Sequence, residues 1–201
     1  MNENITESLH CFLKEQTRDS HRRLDRNGML RSLLGNELTE SVYGNVLQAM
    51  YVFYAAIEPQ ILAYLERSAL PFDYRERIKW PSLANDLSRL GRKPAPFVET
   101  MPVLTQNAEL IGALYVLEGA TLGGQMIVKS LTSKYPDLPI EFYNGYGALT
   151  QQRWREFWLF AEKYCQQCDW HVAGDYAESL FNLLEKSLSA EYFSVHSLSL
   201  K

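Results

Sequence analysis

Residues 107–135 read NAELIGALYVLEGATLGGQMIVKSLTSKY, and the fold turns on what that stretch is. Asn107 can cap a helix. Leu110, Ala113, Leu114, Leu117, Leu122, Met126 and Ile127 then repeat at helical spacing. The same stretch carries Gly119, Gly123 and Gly124, with Gly112 earlier. A glycine inside a helix costs about 0.5–1 kcal/mol relative to alanine. A kink would account for that cost. So would a surface bare of side chains, against which something flat or bulky can lie. Gly119-x-x-x-Gly123 is equally compatible with close helix–helix packing through small residues, and this stretch alone favours that simpler explanation slightly.

Outward from it, the remaining chain also reads as helical. Toward the N-terminus, residues 5–26 form a helix capped by Thr6, with Leu9, Leu13, Thr17, His21 and Leu24 on one face and Asn27-Gly28 as its end. Residues 29–35 are a short apolar turn or helix. Thr39 or Glu40 opens a long helix to about Arg67, with Val42, Val46, Met50, Tyr54, Ile57 and Ile61 along one side and a bend expected at Pro59. Residues 68–81 connect to a short helix capped by Ser82 and closed by Gly91, and 92–106 is a proline-containing loop. After the long glycine-bearing helix, residues 140–149 are a glycine-rich loop, Thr150 caps a helix to about Cys168, and a last helix runs from about His171 to Tyr192. Alternating β-branched runs are scarce. The expectation is all-α, a single domain over 1–201 with frayed ends at about 1–5 and 193–201.

Composition narrows the function. The chain has 201 residues, 46% of them hydrophobic, and a net charge of −4, which suits a domain with a sizeable core. Without a basic block, nucleic acid is not the expected partner. No apolar run is read as membrane-spanning, and the polar opening MNENITESLHCFLKEQ lacks a signal-peptide core. Cys11, Cys165 and Cys168 form no disulfide framework, so a cytoplasmic setting is expected. Cys165-x-x-Cys168 with His171 falls short of the four ligands of structural zinc. Glu58, before Pro59, reads as a solvated or helix-bonded acid.

His21 is the residue with chemical potential. It lies on the apolar side of the first helix. Asp25, four residues on, can reach a ring nitrogen across one helical turn and hold one tautomer, leaving the other nitrogen free for a metal. Lys14 is seven residues back, about 10 Å along a continuous helix at 1.5 Å per residue. That is near the span from a haem iron to its propionates. Taken alone, a histidine on such a face is more often a core residue than a ligand, and a solvated lysine is the better reading of Lys14.

Two motifs in this order change the weighting. LKEQTRDSH (residues 13–21) followed by YVLEGATLGGQMIVK (115–129) resembles the haem oxygenase family. YVFYAAIE (51–58) and the FYNGYG…RWREF block (142–157) extend the likeness over nearly the whole chain. It is most similar to the bacterial branch, including enzymes that supply biliverdin to bacterial phytochromes. The resemblance implies a helical bundle with haem between the first helix and a kinked, glycine-rich distal helix. His21 then matches the axial iron ligand and Asp25 its acidic partner. Gly119 and Gly123 match distal glycines over the iron and bound O2, with Gly124 among the haem contacts. Lys14, Lys129 and, more weakly, Arg155 match propionate-pairing bases, and Tyr54 a pocket tyrosine. The implied reaction opens haem to biliverdin, Fe2+ and CO with O2. Electrons come from an external donor such as a ferredoxin or a flavoprotein reductase, since the chain has no Gly-x-Gly-x-x-Gly strand–helix unit. One position departs: where animal members carry an aspartate after the first distal glycine, this chain has Ala120, and Thr121 and Gln125 are the nearest polar residues. A non-catalytic haem carrier or sensor on the same fold is the alternative. A helical hydrolase of a thiamine-like compound is a third reading.

Overall fold

The computed structural model describes residues 8–94 and 100–189. The expected Thr6 cap and the end at Tyr192 lie outside them. Among the described residues every regular element is helical. The helix expected over residues 5–26 is in fact two, α1 (Leu9–Gln16) and α2 (Arg18–Arg26), joined at Thr17. Thr17 is fully buried, and its hydroxyl donates to Leu13 O at 2.7 Å. Such a side-chain bond to the preceding turn competes with the helical ladder. Ser8 caps α1, its oxygen accepting from Cys11 N. α2 ends at Asn27 as expected, with Asn27 N bonding Leu24 O, though without a left-handed glycine after it. At φ −59°, ψ 124° the Asn27 side chain accepts from Met29 N and Leu30 N and so caps the next helix, α3 (Gly28–Ser32).

α4 (Glu40–Ser68) begins at Thr39, whose hydroxyl accepts from Val42 N, and runs helical through Pro59. α5 (Trp80–Arg89) starts ahead of the expected Ser82, with Pro81 in its first turn. Its cap is supplied from α4: the Glu58 carboxylate accepts from Lys79 N at 2.8 Å, Trp80 N at 2.9 Å and the Tyr74 hydroxyl at 3.0 Å. Glu58 is therefore fully buried rather than solvated. α5 ends as expected at Gly91, φ +66°, where Gly91 N bonds Ser88 O and Arg92 N bonds Leu87 O.

α6 (Asn107–Lys134) is the central helix, with Gln106 rather than Asn107 as its cap. Gln106 and Glu109 form a capping box, and the Asn107 side chain instead accepts from the Tyr64 hydroxyl. α6 lies against α7 (Glu141–Asn144), α8 (Thr150–Tyr164) and, most extensively, α9 (Trp170–Ser187). Close approach falls at Gly112, where a Cβ would sit 2.2 Å from the carbonyl oxygen of Ala173 in α9. Packing through small residues is real on this helix, but at Gly112 and not at Gly119-x-x-x-Gly123.

The segment expected as a loop over 140–149 holds α7 and a 3-10 turn, Gly147–Leu149, with Gly145 and Gly147 at φ +51° and +53°. Asp86 of α5, fully buried, fixes α7 by accepting from Glu141 N at 3.1 Å and Phe142 N at 2.9 Å. α8 stops at Tyr164, short of Cys168. By length and composition alone an apolar window in each of α4 and α6 could cross a membrane, but more than half of that window is buried inside the protein, as in the core helices of a globular fold. They are its core helices.

Candidate active site

A cavity of about 360 Å³ opens between the N-terminal helices and α6. His21 and Asp25 of α2 share its walls with Gly119, Gly123 and Gly124 of α6. A Cβ at Gly123 would meet no atom within 4 Å, and one at Gly119 only the Trp154 ring at 3.8 Å. No contact within the chain requires glycine at either position, so the backbone they leave bare belongs to the cavity. Gly124 differs: its Cβ would lie 3.2 Å from Tyr143 O, so there the missing side chain lets α7 approach. α7, held by Asp86, places Phe142 and Tyr143 in the wall beside Tyr54.

His21 is oriented by a chain of hydrogen bonds whose direction can be worked out. Thr17 gives its one hydroxyl hydrogen to Leu13 O at 2.7 Å. Thr17 Oγ1 must then accept in its 3.2 Å contact with the Tyr115 hydroxyl. With its hydrogen so directed, Tyr115 Oη can only accept from the His21 ring, 3.4 Å away. The ring nitrogen beside Tyr115 is thus the N–H, and the opposite nitrogen carries the lone pair. The edge of Phe181 packs on the ring at 4.5 Å between centroids. The expected hydrogen bond to Asp25 is replaced by this one to Tyr115, and Asp25 acts on the ring through its charge. Burial lowers the His21 pKa from its ordinary value of 6.5, with Asp25 opposing. The imidazole is neutral at pH 7, the form in which it ligates metals.

A second polar group reaches the cavity from the connection before α5. Lys79 is 4% exposed and lines the wall. Its Nζ donates to Tyr146 Oη at 2.7 Å and Arg77 O at 3.2 Å, and Tyr146 Oη donates to Glu118 Oε1 at 2.8 Å. Arg77, also buried, pairs with Glu118 at 2.9 Å and with the half-exposed Glu156 at 2.7 Å. Burial lowers the Lys79 pKa, with Glu118 and Glu58 opposing. Of the two polar residues singled out near Ala120, Thr121 lines the cavity but spends its hydrogen on Leu117 O, and Gln125 donates to Gly147 O in a neighbouring groove.

The structure therefore brings His21, Asp25, Tyr54, Gly119, Gly123 and Gly124 to one cavity, and leaves three expected bases off its walls. Lys14 is exposed on α1, which ends before the turn at Thr17, and does not line the cavity. Arg155 is exposed on α8. Lys129 lines the adjoining groove, which shares Met126 and Tyr143 with the cavity. The base at the rim is Arg31, exposed just after α2. Sequence reasoning missed Arg31, Lys79, Tyr115 and Tyr143. For the Lys79 network one signal was present: Glu118 is an acid within the apolar run before Gly119.

Comparison with known proteins bears on the family and the fold. The family model described as Heme oxygenase matches residues 7–163. A curated relative named Heme oxygenase, from Xanthomonas campestris pv. campestris (strain 8004), is 28% identical over 170 residues, 81% of this chain and 98% of its own length. Among solved structures, the NO- and CO-bound heme oxygenase of Neisseria meningitidis superposes with a TM-score of 0.75 at 19% identity, covering 90% of each chain. Heme oxygenase-1 of the cyanobacterium Synechocystis sp. PCC6803, in complex with heme, gives 0.71 at 16% identity over 96% of this chain and 95% of that one.

Proposed function

The chain belongs to the haem oxygenase family, and from that premise we propose that its cavity holds haem between His21 and the glycine-bared face of α6. The enzyme opens haem to biliverdin, iron and CO. The observation that carries the site is the pairing, on one cavity, of the His21 imidazole, held neutral by burial, with α6 backbone that no contact within the chain requires to be bare. The residues fit the group. Apolar walls from Leu24, Phe53, Val116, Phe142 and Leu184 suit a porphyrin face, and a Cβ at Gly123 would stand in open space.

Haem bound there supplies the iron at which O2 is activated. His21 ligates that iron as a neutral donor. Gly119 and Gly123 leave room on the other side and let main-chain groups approach. Tyr54 and Tyr143 close the cavity behind them, and burial holds both phenols protonated. Arg31 at the rim and Lys129 on the adjoining groove are the bases placed to pair with the haem carboxylates, ahead of Lys14 and Arg155. Asp25 tunes the ring of His21 by its charge. Electrons come from an external donor, a ferredoxin or flavoprotein reductase, in the cytoplasm, and a bacterial phytochrome is a natural recipient of the product.

A single-turnover reaction tests this. The 1:1 haem complex, given ascorbate in air, is expected to lose its Soret band and gain biliverdin absorbance. An oxygen complex that persists without bleaching would contradict it.

A further inference from the structure

We propose that Lys79 is the proton donor to oxygen on the glycine side of the cavity, the role left vacant by the alanine at position 120. The inference rests on the function proposed above. Reduction of O2 consumes protons, so the site needs a group that can give one up. Ala120 offers none. The Thr121 hydrogen is committed to Leu117 O, and Gln125 is turned to the next groove. Burial raises the Tyr54 and Tyr143 pKa values, making both phenols poor acids. Of the other titratable groups on the wall, Asp25 stands beside His21 on α2 and Arg31 does not release a proton in this range, which leaves Lys79.

Its surroundings fit that role. Two of its N–H bonds go to Tyr146 Oη and Arg77 O, which leaves the third for the cavity it lines. The groups acting on it are Glu118 from α6, Glu58 from α4 and Arg77 from its own connection, with the Tyr146 phenol accepting from Nζ. Desolvation and Arg77 favour the neutral amine, while Glu118 and Glu58 favour the ammonium. A lysine so balanced exchanges protons more readily than a solvated one.

The transfer moves no electrons. Nζ gives one proton to oxygen in the cavity and keeps the bonding pair as a neutral amine. The neutral amine regains its proton from solvent water through the cavity it lines.

Lys79→Arg and Lys79→Met in the full chain separate this role from a structural one. Arginine keeps the cation and its hydrogen bonds but does not release a proton in this pH range. With each variant saturated with haem, as judged by Soret titration, both are expected to slow single-turnover bleaching at least tenfold, a floor below the roughly 10²–10⁴ that general acids contribute. The wild-type rate is expected to fall as pH rises through a limb below the ordinary lysine value of 10.5, and the residual rate of Lys79→Arg to lack that limb. If Lys79→Met fails to fold, Lys79→Arg alone decides. A loss of less than tenfold in Lys79→Arg, or an unchanged pH limb, overturns the proposal while the function stands. A wild-type chain that does not convert haem removes both.

Discussion

Tyr115 sets which nitrogen of His21 can act. The phenol is 6% exposed and its own hydrogen is committed to Thr17, so it can serve the imidazole only as an acceptor. Tyr115→Phe removes the acceptor and keeps the ring. A neutral hydrogen bond contributes about 0.5–1.5 kcal/mol, and this one is long. Haem affinity is therefore expected to fall about two- to tenfold, and the 15N shifts of His21 in the haem-free protein to report a mixture of tautomers where the wild type shows one. Unchanged shifts and affinity would return the orienting role to Asp25. At this scale the sequence showed His21, because a histidine on an apolar helical face with an acid four residues on is a local pattern. It hid Tyr115 and Lys79. Tyr115 meets His21 from a helix 94 positions away, and Lys79 sits in a connection, DYRERIKWP, with no periodicity to say which way it points.

Among the elements, α6 carries glycines of two kinds, and substitution separates them by sign. Gly112→Ala drives a Cβ to 2.2 Å from the backbone of Ala173 in α9. Overpacking of this sort costs about 1–3 kcal/mol or more, so the unfolding free energy is expected to fall by at least that. Gly123→Ala meets nothing within 4 Å and removes a poor helix former. The haem-free protein is expected to gain up to about 0.5–1 kcal/mol in stability, while haem turnover falls because the methyl group enters the site. Denaturant unfolding and bleaching rate together check the pair, and destabilisation by Gly123→Ala would show that the position serves packing. The existence of the long helices was legible from apolar spacing over many turns. Their ends were less so. α1 and α2 part at a threonine whose side-chain bond depends on burial, and α5 takes its cap from Glu58 in another helix. No local motif records either.

For the molecule as a whole, the helices serve to hold two faces apart. Glu58 binds α4 to the start of α5, Asp86 binds α5 to α7, and Gly112 lets α9 close on α6. Around these ties one hydrophobic core runs from Leu9 to Leu188, and the space it leaves unfilled lies between His21 and Gly123. The family motifs made that arrangement legible before any coordinates, since they name both walls. The partners of the haem carboxylates were not, because the reach of a long base from a helix depends on breaks and rims that spacing does not reveal. The account stands on His21 binding the iron. Resonance Raman spectra of the ferrous haem complex test this directly: the wild type is expected to show an iron–histidine stretching band that disappears in His21→Ala and reappears when imidazole is added. The same band in His21→Ala without imidazole would contradict it.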